Sequence, residues 1–251
     1  MHKRVYLTRG LFVAACVLAL VAAGASWAGS DASNRDIYFQ QAGSSTAGPS
    51  SAGSPQDSGE ASQASASQPT IRYWVERAET RDLLLDSKGG FRSGDKIYFK
   101  FGTNVECYAY LVCKGSSGKV TMMFPGIAGP DNHVQPRTDT TVPTIKTPFV
   151  FDETPGVERL CLVISPKPVQ EWEQMAEQAR DLEEPLNLSS AQQNLWDQVA
   201  ASCVTLGKSK DLTLEQYESN DDGQGGNYVT DHGQEGFTRP VAVYLDLEHQ
   251  P

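Results

Sequence analysis

Positive charge is scarce in this chain. Lys and Arg number 21 against 31 Asp and Glu, for a formal net charge of −10. Three of those bases (Lys3, Arg4 and Arg9) fall before residue 28, where there is no acid, so the remainder is more acidic than the total implies. Phosphate-backbone recognition and attraction to anionic lipid both run on clustered Lys and Arg, so nucleic acid and bare membrane surface are excluded as partners. The sequence also lacks the Gly-x-Ser-x-Gly elbow, the His-Glu-x-x-His pair and the phosphate-cradling Gly-x-x-x-x-Gly-Lys loop. Only His133, His232 and His249 remain past the leader, the last two read as solvated in an acidic loop and in the tail. Without a Cys-x-x-Cys or a His cluster, zinc has no recognisable ligand set. Asn220-Asp221-Asp222-Gly223 lacks the alternate spacing and distal glutamate of a helix–loop–helix calcium site. No metal and no cofactor is expected. A Cys113–His133 nucleophile pair is disfavoured by an oxidising compartment.

What is present begins with a leader. Residues 1–10 carry the positive charge, Leu11 to Ala23 is unbrokenly apolar, and small residues follow to Ala28. Charged start, short apolar middle and small-residue end make residues 1–28 a signal peptide, cut after Ala28. The alternatives are an uncleaved inner-membrane anchor over residues 11–28, at the short limit for a bilayer span, and lipidation at Cys16. The chain is therefore expected in the periplasm or cell envelope.

Residues 29–70 read as a disordered tether. From Ala42 to Thr70, 25 of 29 residues are Ser, Ala, Gly, Gln or Pro, too few apolar groups to offset the entropy of ordering them. Ile37-Tyr38-Phe39 is an apolar island in front, read as leftover sequence rather than a docking peptide.

From residue 71 to 251 the pattern is that of one mainly β domain. Ile97, Phe99 and Phe101 alternate with Lys96, Tyr98 and Lys100, the period-two mark of a half-buried strand. Cys107 to Cys113 is apolar on both faces, as in a central strand. Val120–Phe124, Phe149–Phe151, Arg159–Ile164 and the alternating Val241, Val243, Leu245 and Leu247 follow. Such short strands with Gly and Pro between them point to an antiparallel β-sandwich. Before the last strand, at about 166–210, the period changes. Trp172, Met175, Ala176, Ala179 and Leu182 share one helical face, and Ser189 to Gln192 reads as a capping box opening a second helix with Leu195, Trp196, Val199, Ala200 and Cys203 inside. Residues 218–236 read as a long acidic loop.

Four cysteines follow the leader: Cys107, Cys113, Cys161 and Cys203. The first two are about 20 Å apart along one strand at about 3.3 Å per residue, too far to join. Either one of them bridges to Cys161 or Cys203, or all four are buried free thiols. Tyr98, Tyr108 and Tyr110 are the candidate binding face, with Tyr108 and Tyr110 on one side of their strand. They present a stacking platform for a glycan or peptide, unless they pack beneath the helical insertion.

Phe91-x-x-Gly94-Asp95, Tyr108-x-Tyr110-Leu111, Gly118-Lys119-Val120-Thr121 with Phe124-Pro125, Asp131-Asn132, Val142-Pro143 and Gly156-x-Glu158-x-Leu160 occur in that order. This set resembles the bacterial family of domain of unknown function 4384, over residues 88–165. The resemblance implies an exported or envelope-linked accessory module without a reaction of its own. Turn and core roles account for most of these residues; Glu158, a carboxylate beside a buried strand, requires a partner. The expectation is a non-catalytic envelope-associated binding module, its partner another envelope protein or, second, a glycan. An envelope hydrolase assembled only in three dimensions, and a structural spacer, are the alternatives.

Overall fold

The computed structural model describes residues 33–39, 68–85, 90–126, 131–144, 146–182, 184–218, 223–233 and 238–251. The expected signal peptide, Cys16, most of the expected tether and Asn220 to Asp222 lie outside them. In chain order the elements are α1 (Asn34–Phe39), β1 (Thr70–Arg77), β2 (Leu83–Leu84), β3 (Phe91–Arg92), β4 (Lys96–Thr103) and β5 (Cys107–Lys114). Next come β6 (Val120–Phe124), β7 (His133–Val134), β8 (Thr140–Val142), β9 (Phe149–Val150), β10 (Gly156–Ser165) and α2 (Gln170–Asp181). The chain closes with β11 (Leu186–Asn187), α3 (Ser190–Ser202), β12 (Val204–Thr205), β13 (Leu212–Tyr217), β14 (Gly226–Asp231) and β15 (Val241–Gln250).

Two sheets form. The first runs β13-β14-β1-β4-β8, with β2 on β1 and β9 on β4. The second runs β11-β6-β5-β10-β15-β12, with β3 on β15 and β7 on β5. Pairing is antiparallel except for β12 and β3, which both lie parallel to β15. The alternation in β4 turns Ile97, Phe99 and Phe101 inward, where they meet Leu111 of β5 and Leu160, Leu162 and Ile164 of β10. This is the expected sandwich.

The second sheet is buried on its other face too. Tyr110, Val112, Cys161, Val163 and Ala242 point away from the first sheet and are covered by α2 and α3. Trp172 and Trp196 stack there with ring centres 4.1 Å apart, and Tyr110 meets Trp172 edge-on. Glu173 of α2 accepts from the Tyr110 hydroxyl and from Asn132 Nδ2, which ties the helix to the sheet at its first turn. α3 opens on the capping box read from the sequence, with Ser189 Oγ accepting from the Gln192 amide.

Two expectations need correction. The Ile37-Tyr38-Phe39 island, placed in the tether, forms α1 and docks on the first sheet. Asn34 donates to the carbonyls of Thr213 and Tyr228, and Tyr38 packs edge-on against Tyr228. The acidic loop 218–236 contains β14, buried along its whole length between β13 and β1. Its polar residues fit because each finds a partner: Asn227 Nδ2 donates to the Leu85 carbonyl, and Thr230 shares a hydroxyl bond with Thr70.

Trp172 is fully buried between helices and sheet. Trp172→Ala is expected to lower unfolding free energy by about 3–5 kcal/mol, whereas Leu214→Ala, at an exposed position, stays within about 0.5 kcal/mol. Urea denaturation checks both; a loss below about 1 kcal/mol for the tryptophan variant contradicts the helical layer's place in the core.

Candidate functional site

The three candidate tyrosines do not form one face. Tyr98 lies on the first sheet, beneath Arg81 at 5.4 Å. Tyr108 and Tyr110 lie on the second. Tyr110 is sealed under α2, and Tyr108, half-buried, packs beside His133 with ring centres 5.0 Å apart. A stacking platform is therefore not assembled from them. His133 pairs with Glu106 at 2.8 Å and stands opposite Tyr108, five residues along β5 from Cys113. At about 3.3 Å per residue that is roughly 16 Å, and the Cys113–His133 pair is not brought together.

All four cysteines are buried free thiols. Cys107 and Cys113 lie between the sheets, while Cys161 and Cys203 lie between the second sheet and its helices. The sheet itself separates the two sets, so of the two alternatives it is the four buried free thiols, and not a bridge to Cys161 or Cys203, that the structure holds. Burial pushes the Cys107 and Cys203 thiols up to about 11 and Cys161 up to about 12. Cys113 is raised by burial first and then by the neighbouring Glu158 charge and hydrogen bond.

Chemistry gathers at one end of the sandwich. Along β10, Val157 and Arg159 face out, while Glu158 follows Leu160 and Leu162 toward the core. Register places Leu247 of β15 opposite Glu158 and His249 opposite Gly156. Glu158 and His249 are thus diagonal neighbours on one face, a separation long side chains span. Gly156 takes φ +151, and a Cβ there would lie 2.8 Å from Ser116 Cβ. Only glycine lets the β5–β6 turn close over this corner. Ser116 N–H then donates to Glu158 Oε1 at 3.0 Å, and the Cys113 thiol donates to Oε2 at 3.6 Å.

His249, expected as a solvated tail residue, is instead buried, with its side chain 0% exposed. β3 on one side and β10 on the other hold its backbone, and Phe151 packs on its ring at 4.9 Å. Neither ring nitrogen has a hydrogen-bond partner, a state that costs about 1–3 kcal/mol per buried group. Nε2 points at Glu158 Oε1 across 3.6 Å. Asp152, next to Phe151, brings a third donor: one ligand atom each from Asp152, Glu158 and His249 lies within 4.8 Å of the others. The signal for His249 was available, because it continues the period of Val241, Val243, Leu245 and Leu247.

Beside this corner opens a cleft of about 310 Å³. Met123, Pro143, Phe149 and Pro185 give it apolar walls, Lys119, Thr121 and Asn187 give it polar ones, and Cys113, Asp152 and Glu158 also line it. Burial, and then the neighbouring Glu158, raise the Cys113 thiol, which disfavours the thiolate that nucleophilic attack needs.

Two face-to-face sheets with helices over one of them make this a helix-covered β-sandwich. Residues 90–168 match the family described as Domain of unknown function (DUF4384), and that segment belongs to the family. The match includes Cys113, Asp152 and Glu158 and stops before α2, α3 and His249. Neither the curated proteins nor the solved structures contain a match to the chain.

The raised thiols make stability depend on alkaline pH. In the unfolded chain they ionise near 9, in the folded chain at about 11 or above for Cys107 and Cys203. Between these values the folded state binds more protons, so stability is full below pH 9 and falls as pH rises toward 11. The urea midpoint of the reduced chain is expected to drop from pH 8 to pH 10, and iodoacetamide at pH 8 to label Cys107, Cys113, Cys161 and Cys203 only after unfolding. Rapid labelling of Cys113 in the folded chain contradicts the buried, protonated assignment.

Proposed function

We propose that this protein is a non-catalytic, exported binding module of the cell envelope that receives a segment of another envelope protein in the cleft at the end of its sandwich. The cleft carries this reading. At about 310 Å³ it stands at the lower limit of ordinary ligand pockets, enough for a few side chains. Its mixture of prolines, Phe149 and Met123 with Lys119, Thr121 and Asn187 suits a short polypeptide. A glycan is less well served, since Tyr98 and Tyr110 are buried and, among the described residues, Phe149 is the one aromatic in the cleft wall. Export rests on the charged, apolar and small-residue order of residues 1–28. The helical insertion covers the outer face of the second sheet, so that face is not offered to a partner.

One observation favours a second reading, that of an envelope hydrolase: Glu158, His249 and Cys113 converge beside the cleft. The protonated thiol counts against covalent catalysis there.

The test is site-specific photocrosslinking in the envelope of a bacterial host expressing the full chain. A crosslinker at Thr121, in the cleft, is expected to give a discrete protein adduct. The same group at Leu214, exposed on β13, is expected to give none. Equal adducts from both positions, or none from Thr121, contradict the cleft as the partner site.

A further inference from the structure

We propose that Asp152, Glu158 and His249 form a binding site for one divalent transition-metal ion of the zinc type. His249 carries the observation. Its imidazole is wholly buried, both nitrogens lack hydrogen-bond partners, and Nε2 is aimed at Glu158. A plain imidazole–carboxylate contact closes to hydrogen-bond distance, as His133 Nε2 and Glu106 Oε1 do at 2.8 Å. Glu158 Oε1 and His249 Nε2 instead stand 3.6 Å apart, beyond a hydrogen bond. Two ligand atoms on a tetrahedral ion with bonds of about 2.1 Å are separated by roughly 3.4 Å. The gap is therefore that of two ligands sharing an ion.

The third ligand is at hand. Asp152 offers an oxygen within 4.8 Å of both other donors, and its carboxylate is oriented by the Thr154 amide, which donates to Oδ1 at 2.8 Å. One imidazole with two carboxylates suits zinc, manganese or ferrous ions; calcium and magnesium take oxygen donors throughout. Glu158 is already held as a ligand should be, by the Ser116 amide on Oε1 and the Cys113 thiol on Oε2. Outer partners of this kind fix a ligand's orientation. The ion also answers the buried charge: among the described residues, His249 is the one ion-pair partner recorded for Glu158. Three protein ligands leave a coordination position open, and both Asp152 and Glu158 border the cleft. The site stands whether or not a protein partner occupies that cleft.

The experiment uses the full chain, stripped with chelator and titrated calorimetrically with Zn²⁺, with Co²⁺ absorption as the readout of ligand geometry. One equivalent per chain is expected, with d–d bands of a low-coordinate cobalt site. Asp152→Asn is expected to weaken Zn²⁺ by roughly tenfold or more, and His249→Gln to abolish the tight equivalent. His133→Gln, which removes the surface pair with Glu106, is expected to leave it intact. Because Asp152 is exposed, its variant folds and decides the matter even where the His249 variant does not. A folded wild-type chain that takes up no stoichiometric Zn²⁺, or a tight site that survives Asp152→Asn, overturns the assignment. So does a site lost in His133→Gln.

Discussion

The second sheet of this sandwich has no free face. β5 and β10 send Leu111, Leu160 and Leu162 to one side and Tyr110, Val112, Cys161 and Val163 to the other. Apolar surface on both sides has to be removed from water on both sides, at about 25 cal/mol per Å². The first sheet covers one side and the α2–α3 pair covers the other. Much follows from that single requirement. Tyr110, which looks like part of a recognition platform, becomes core, cysteines are sorted into two layers that cannot meet, and the helices are structural cover. Chemistry is displaced to the end of the sandwich, where the strands run out of apolar partners.

At that end the same alternation that builds the core delivers a carboxylate. Glu158 follows the inward parity of β10, and His249 follows the inward parity of β15, so neither can turn to solvent without breaking the pairing of its strand. Gly156 and the Ser116 turn close the corner over them. The polar groups are thus placed by register. The cleft beside them, walled by β6, β9 and the segment around Pro185, is what remains open.

Much of the architecture is written in period. The strands at 97–101, 107–113, 159–164 and 241–247 and both long helices, with the cap at Ser189, are legible because their apolar residues recur at two or at three to four. β14 is not, because Asn227 and Thr230 are polar and are buried only by virtue of partners distant in sequence. α1 is six residues beside a low-complexity stretch, and its docking depends on Tyr228, nearly two hundred residues away. Of the candidate site, Glu158 was legible as a buried acid in need of a partner. His249 continues the inward period of β15 and is legible as buried on that ground, but its meeting with Glu158 depends on a β10–β15 register that no local pattern encodes.

That the helical layer and both sheets are one cooperative core is the claim on which the rest stands. Native-state hydrogen exchange tests it most directly, since amides in one cooperative unit are released together. Amides of Met175 and Ala176 in α2 are expected to exchange with the same free energy as those of Leu111 in β5 and Leu162 in β10. Exchange of the α2 amides at far lower free energy, with the strands still protected, would mean the helices detach from an intact sandwich and would contradict the account.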